Sequence, residues 1–177
     1  EEIGPLLTTA QVEDGSALLH KLLGNGVVSV AAVAALSAAD LQSQYGVAAM
    51  QAEALLAAAK AAALLKSAMD GDAARVRELI EAKADIETVD DRGWRPLLVA
   101  SHFGNTACLL QLIKAGANLE VRQNQGFTSL MISADRGHYH VVRELIVAGA
   151  RVDATKGNGT TALSLARQEK HQAVCSL

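Results

Sequence analysis

Histidine and cysteine are the side chains of this chain that could bind a metal ion or act as a nucleophile. His138 and His140 lie two residues apart, so on a helix they point in different directions and cannot bind one metal ion together. The other histidines have no cysteine or carboxylate at ligand spacing. Cys108 and Cys175 are far apart and fall at apolar positions of a helical pattern, which predicts buried thiols. The sequence therefore predicts no metal site, no disulfide framework and no cofactor.

Groups that could perform acid–base or nucleophilic catalysis are equally sparse. Asp90 and Asp91 form a carboxylate pair, but they lie in a polar turn where we expect both to be solvated. The chain has no Gly-x-Ser-x-Gly motif and no glycine-rich segment of the kind that cradles phosphate. We expect a protein that is not an enzyme and that takes no small-molecule substrate.

Composition favours thin layers of helices over a bulky core. Half of the 177 residues are hydrophobic, but 34 are alanine and five are aromatic. The net charge of −3 predicts no general attraction to nucleic acid or anionic membranes, and no apolar run is long enough to predict a membrane span. We expect an intracellular protein, cytoplasmic by default, with an organelle reached after presequence removal as the alternative. Because the chain starts at Glu1 and stops at Leu177 within a helical pattern, we expect it to be processed or shortened.

The second two-thirds of the chain repeats with a period of 33 residues. A register kept in several columns predicts a repeating structural unit. The positions in register include Gly71, Gly104 and Gly137; Gly93, Gly126 and Gly159; Leu97, Leu130 and Leu163; and Ala84, Ala117 and Ala150.

Each unit is predicted to be a tight turn followed by two short helices. Turn-forming residues surround Gly93, Gly126 and Gly159, and apolar residues at helical spacing follow them. The first helix of each unit is predicted to begin at Pro96 or after the N-caps Thr128 and Thr161, and to end at Gly104 and Gly137. The second helix is predicted to end at the left-handed C-caps Gly116 and Gly149, and Lys83 stands at the equivalent place in the first unit.

These residues resemble ankyrin repeats over residues 62–177. The family pattern Thr-Pro-Leu-His-x-Ala is matched in part by Gly-Trp-Arg-Pro-Leu-Leu-Val-Ala (93–100), and the pattern Leu-Leu-x-x-Gly-Ala by Lys-Ala-Gly-Ala (114–117) and Val-Ala-Gly-Ala (147–150). Leu98, Met131 and Ser164 replace the motif histidine, which removes a hydrogen bond that typically ties neighbouring repeats. The resemblance implies an all-α fold in which a small helical bundle precedes an ankyrin solenoid of about four repeats (62–89, 90–122, 123–155 and an incomplete 156–177).

Residues 1–61 fall outside the 33-residue register and form a second predicted domain. Apolar helical faces are predicted around Leu18–Leu23 and Val30–Ala34, Ser37 is a candidate N-cap with Asp40 three residues on, and an alanine-rich helix follows from about Ala48. Gly46-Val47, Ala52-Glu53 and Leu55-Leu56 resemble the spacing of helix-hairpin-helix domains, and the sterile alpha motif is a close alternative. Residues 1–63 hold two basic and six acidic side chains, which argues against phosphate binding and favours a protein contact or a structural cap.

The resemblance also implies where a partner binds, because hairpin tips and the ends of first helices line the concave face of ankyrin arrays. Three of the five aromatic residues of the chain, Trp94, Phe103 and Phe127, fall at these positions and are the expected anchors. The alternative is that Trp94 and Phe127 stack on each other. The predicted partner-binding residues are Met69, Asp70, Asp91, Arg92, Trp94, His102, Phe103, Asn124, Gln125, Phe127, Asp135 and Arg136, followed in the last repeat by Thr160, Gln168 and Glu169.

The function predicted from these features is a non-enzymatic scaffold or adaptor that holds another protein on its ankyrin face. One alternative is a structural accessory subunit embedded in a large multiprotein assembly. A second is a nucleic-acid-binding module that acts through the N-terminal helical domain, and a third is self-association through a sterile-alpha-like domain.

Overall fold

The computed structural model describes residues 30–45 and 48–177. These residues form helices and turns and contain no strand, so the predicted all-α class is confirmed. The predicted helix around Leu18–Leu23 lies outside the described residues. The helices are α1 (Val30–Ala34), α2 (Ala38–Tyr45), α3 (Ala49–Asp70), α4 (Ala73–Glu81), α5 (Pro96–Phe103), α6 (Thr106–Lys114), α7 (Ser129–Asp135), α8 (Tyr139–Val147), α9 (Ala162–Gln168) and α10 (Gln172–Cys175).

The chain divides into two compact units. The described residues up to Ala63, together with Lys83–Asp85, belong to the first, and Leu64–Ala82 with Ile86–Leu177 form the second. In the first unit, Val33, Leu41 and Leu55 are completely buried and form the core of the helices α1, α2 and α3. The alanine-rich helix predicted from about Ala48 is α3, and it continues without a break to Asp70.

The start of α2 follows the predicted capping pattern. Both the backbone N–H and the hydroxyl of Ser37 donate to Asp40 Oδ2, at 3.1 and 2.7 Å, and the Asp40 N–H donates back to Ser37 Oγ at 3.1 Å. The hydrogen bonds from Ser37 stabilise the charged carboxylate and therefore lower the pKa of Asp40.

The second unit is a series of helix pairs, α5 with α6, α7 with α8 and α9 with α10, preceded by the end of α3 and α4. The predicted N-caps are confirmed. Thr128 Oγ1 accepts the Met131 N–H at 3.3 Å, and Thr161 exchanges hydrogen bonds with Ser164 in a reciprocal capping box. Pro96 begins α5, where its missing N–H leaves no helical hydrogen bond unmade.

Left-handed backbone closes the helices at the positions predicted from glycine. Gly104, Gly116 and Gly149 have φ values of 74°, 88° and 91°, a region that glycine enters without steric penalty. Lys83 and Lys170 stand in the same two columns of the repeat, and both adopt φ of 62°. The left-handed backbone of the repeat is therefore kept at two positions where lysine replaces glycine.

A ladder of side-chain hydrogen bonds ties each helix pair to the pair before it. The residues that cap α6, α8 and α10 each reach back to a carbonyl of the preceding first helix: Asn105 Nδ2 to Met69 O at 2.9 Å, His138 Nε2 to His102 O at 3.0 Å and His171 Nε2 to Asp135 O at 2.9 Å. The hydrogen bond expected from the lost motif histidine is thus not the one that joins these repeats.

Glutamates in the loops form a second set of ties with the same period. Glu87 Oε1 accepts the Asn118 N–H, and Glu120 Oε1 accepts the Arg151 N–H, both at 2.8 Å. Glu87 is also paired with Arg95 at 3.1 Å, so this carboxylate joins its own loop to the next one. Each of these bonds satisfies a loop N–H that the helices leave without a partner.

The last helix pair carries an open apolar surface. Leu163 is 42% exposed, whereas Leu97 and Leu130 in the same column are 2% and 3% exposed. Leu163, Val152 and Leu177 border a cavity of about 310 Å³ that Cys175 also lines. The prediction of a buried thiol is therefore wrong for Cys175, which is half-buried, while Cys108 is completely buried as predicted.

Within the described part of the chain, no helix combines the length and the apolar character needed to cross a lipid bilayer.

Candidate protein-binding face

The hairpin tip that holds Trp94 is shaped by the side chain of Asp90. Asp90 Oδ1 accepts the N–H groups of Arg92 and Trp94 at 2.9 and 2.8 Å, and the Asp90 N–H donates to Trp94 O at 3.0 Å. The Arg92 guanidinium lies 3.4 Å from the same carboxylate. The expectation that both acids of the Asp90-Asp91 pair are solvated is therefore wrong for Asp90, which stabilises the turn, while Asp91 is exposed.

Trp94, His102 and Phe103 form one set of ring contacts, which we call the aromatic cluster. The centroids of Trp94 and His102 are 5.1 Å apart with the planes at 77°, and those of His102 and Phe103 are 4.9 Å apart at 76°. Both are edge-to-face arrangements, which suit the charge distribution of aromatic rings. The cluster joins a hairpin tip to the end of α5, so three of the predicted site residues lie together.

Two apolar side chains of this region are open to solvent. Phe103 is 49% exposed and Met69, in the same column as His102 one repeat earlier, is 39% exposed. Trp94 is half-buried by the contact with His102. The aromatic cluster therefore presents apolar surface that this unit leaves uncovered.

Phe127 makes a separate contact one repeat further along. Lys156 Nζ lies 4.0 Å above the centroid of the Phe127 ring, a cation–π contact. The ring contact found for Trp94 is with His102 rather than with Phe127, so the alternative in which these two rings stack on each other is wrong. Phe127 is half-buried under the lysine stem and is a less open anchor than Phe103.

The predicted polar site residues differ in their exposure and in the hydrogen bonds and ion pairs that they form within the chain. Asp70 pairs with Lys66 at 2.8 Å, and Asn124 Nδ2 donates to Asp91 O at 3.5 Å between adjacent tips. The side chain of Asp135 is half-buried. The Gln125 N–H donates to Gln123 Oε1 in the turn. In the last repeat, the Thr160 hydroxyl donates to Asn158 Oδ1 and Gln168 Nε2 donates to Glu169 Oε1. Arg136 is exposed and caps the C-terminus of α7.

His102 lies at the centre of the aromatic cluster, and its surroundings lower its pKa. Burial lowers its pKa most, Arg136 and His138 lower it further by repulsion, and Asp135 opposes them. The His102 ring is therefore neutral at pH 7, and its carbonyl group accepts the ladder bond from His138.

The lowered pKa predicts a loss of stability in acid. The unfolded chain binds a proton near pH 6.5, the ordinary pKa of histidine, and folded His102 binds it only at lower pH. Stability is therefore fully present above pH 6.5 and falls as the pH drops through the folded pKa. We expect the free energy of unfolding, measured in urea at pH 7.5 and 5.5, to decrease less for His102→Gln than for the wild type. Equal decreases would show that His102 does not contribute.

The remaining reactive groups of the described residues are a buried thiol and dispersed histidines and carboxylates. Cys108 Sγ contacts Ser67 O at 3.9 Å, and burial, with a smaller effect of Asp72, raises the pKa of this thiol. A protonated, enclosed thiol is a poor nucleophile. Residues 30–45 and 48–177 contain no group of three or more His, Cys, Asp or Glu side chains placed to hold a metal ion.

Sequence reasoning missed the roles of Asp90 and His171 in building this face. An aspartate three residues before a turn glycine is a recognisable signal for side-chain bonding to the following N–H groups. His171 occupies the same column as His138, so the 33-residue register was the signal that could have found its bond to Asp135 O.

A comparison with protein families agrees with this architecture. The model for ankyrin repeats in three copies matches residues 64–156 and 98–177, which together exceed half of the chain. The chain is an ankyrin-repeat protein. Ankyrin repeats are in general protein–protein interaction domains, and the family is typically non-enzymatic. A comparison with curated proteins found no match. The resemblance of residues 1–61 to helix-hairpin-helix or sterile-alpha domains stays a prediction.

Proposed function

We propose that this ankyrin-repeat protein is a scaffold or adaptor that binds a partner protein through the aromatic cluster and the neighbouring hairpin tips. The observation that carries the proposal is the open apolar surface of Phe103 and Met69 beside the Trp94–His102 contact. Aromatic residues in such positions contribute most of the binding energy of protein interfaces.

The rigidity of the surface also supports a binding role. Hydrogen bonds from Asp90 and His138 fix the backbone of Trp94 and of His102. The rings of Trp94, His102 and Phe103 hold one another through edge-to-face contacts. A partner that binds here loses little free energy in ordering this face, because the side chains already have their positions.

The test compares the partners recovered by the wild type and by the variant Trp94→Ala with Phe103→Ala. The tagged full chain is used for affinity purification with quantitative mass spectrometry, and circular dichroism verifies that each variant folds. We expect proteins bound specifically by the wild type to be depleted at least tenfold by the double variant, since truncating a central anchor costs about 2 kcal/mol or more.

The matched control is Val147→Ala. Val147 is a large apolar side chain on α8 that is 76% exposed, so its truncation removes accessible apolar surface outside the proposed face. This variant should recover the same proteins as the wild type. Recovery that a folded double variant leaves unchanged would rule out the aromatic cluster as the binding site.

A further inference from the structure

We propose that the partner segment bound by the aromatic cluster is an acidic peptide, which places an apolar side chain against Trp94 and Phe103 and a carboxylate on Arg136. This inference rests on the proposed function and adds the chemistry of the partner. It follows from which charged groups around the cluster are already engaged within the chain and which are open.

Arg136 is the charged group best placed to receive a carboxylate. It stands in the same column of the repeat as Phe103, directly after α7, which packs against α5. Its side chain is exposed, and it forms no hydrogen bond or ion pair with the described residues. A planar guanidinium with all its donors open is suited to bidentate binding of a carboxylate.

Three of the four nearby acids, Asp70, Asp90 and Asp135, are paired or partly buried. The Asp70 carboxylate is paired with Lys66 at 2.8 Å, and Asp90 accepts two turn N–H groups and lies against Arg92. Asp135 is half-buried. Asp91 and Arg92 are neighbours of opposite sign on the tip, and 81% of the Arg92 side chain is exposed. Asp91 is exposed as well, but of the charged groups that act on the His102 ring, which are Arg136, His138 and Asp135, only Arg136 is exposed.

The electrostatics at His102 point the same way. Among the charged groups that act on this ring, the repulsion from Arg136 is the largest and that from His138 is next, and both exceed the attraction to Asp135. Arg136 is thus the charged group that acts most strongly on the centre of the cluster, and it would attract a negatively charged segment and repel a basic one.

The repeat spacing gives the length of the recognised motif. Packed helices lie about 10 Å apart, so Phe103 and Arg136 at equivalent positions are separated by about that distance. An extended peptide covers about 3.3 Å per residue. The acidic residue of the partner should therefore stand about three residues from the apolar anchor.

The experiment selects peptides from a random twelve-residue phage-display library on the full chain. We expect the selected sequences to contain an aromatic or large aliphatic residue with aspartate or glutamate about three positions away. A synthetic peptide of that sequence, measured by fluorescence anisotropy, should bind Arg136→Glu at least tenfold more weakly than the wild type. Replacing the peptide acid by lysine should restore binding to Arg136→Glu.

Arg77→Glu is the matched control. Arg77 is an exposed arginine on α4 whose side chain makes no hydrogen bond or ion pair with the described residues, so the variant makes the same change of charge outside the cluster. It should bind the peptide as the wild type does. A loss equal to that of Arg136→Glu would show a general charge effect and overturn the inference.

Two further results separate this inference from the proposed function. Peptides that need Trp94 and Phe103 but show no preference for acids, or that bind Arg136→Glu unchanged, would overturn the acidic partner and leave the binding face in place. Peptides that bind the Trp94→Ala, Phe103→Ala variant as tightly as the wild type would overturn both proposals. Recovery of no peptide above background would overturn recognition of a linear acidic segment. The affinity-purification experiment would then test whether the aromatic cluster binds a folded partner.

Discussion

Replacement of Gly104 by alanine should destabilise the ankyrin repeats by about 3 kcal/mol. Gly104 has φ of 74°, where an alanine costs about 1–2 kcal/mol. Its added Cβ would lie 2.8 Å from His138 Nδ1 and 2.9 Å from Cε1, closer than atoms in contact allow. The imidazole would have to move, and moving it breaks the 3.0 Å bond to His102 O, which adds about 1–3 kcal/mol. Urea unfolding followed by circular dichroism measures the loss.

Two variants separate the steric cost from the backbone cost. Gly116 has φ of 88° but open space where its Cβ would lie, so Gly116→Ala should lose about 1 kcal/mol from backbone strain alone. The double variant Gly104→Ala with His138→Ala lacks the clashing ring. Its loss of unfolding free energy should therefore be smaller than the sum of the losses of the two single variants. Strict additivity, or equal losses for Gly104→Ala and Gly116→Ala, would contradict the proposed contact.

The ladder bond also connects repeat stability to the proposed binding face. His138 donates to the carbonyl of His102, and the ring of the same His102 contacts Trp94 and Phe103. A change that displaces His138 therefore disturbs the residue at the centre of the aromatic cluster. Gly104→Ala should weaken partner binding even though Gly104 itself lies outside the proposed face.

The 33-residue register predicted most of this architecture because its repeated residues mark turns and helix ends. Turn glycines mark positions with positive φ, and Thr128 and Thr161 are good N-caps whatever the surrounding fold. Each of these signals lies within a few residues of the feature that it predicts. This local character explains why the helix boundaries of the second unit could be read from the sequence.

The contacts of individual side chains could not be predicted in the same way. Trp94 contacts His102 rather than Phe127 because the hairpin tip folds over the end of its own α5, and the sequence pattern does not specify that side-chain direction. Lys83 and Lys170 adopt left-handed backbone that their residue type disfavours. In both cases tertiary packing decides, and packing depends on residues far away in the sequence.

Leucines at the same position of each repeat should lose different amounts of unfolding free energy on truncation to alanine, according to how far the following repeat buries them. Leu97 and Leu163 occupy the same helical position in α5 and α9, so leucine-to-alanine changes helix propensity equally at both. Leu97 is 2% exposed and Leu163 is 42% exposed.

Leu97→Ala should therefore lose about 3 kcal/mol of unfolding free energy, since it removes buried surface and leaves a cavity. Leu163→Ala should lose about 1 kcal/mol, because its side chain is already partly in water. Urea titrations followed by circular dichroism and by the fluorescence of Trp94 measure both. Equal losses would mean that the open surface beside Leu163 is covered in solution, and a Leu163 loss accompanied by an unchanged Trp94 transition would place the unfolding in the last helix pair alone.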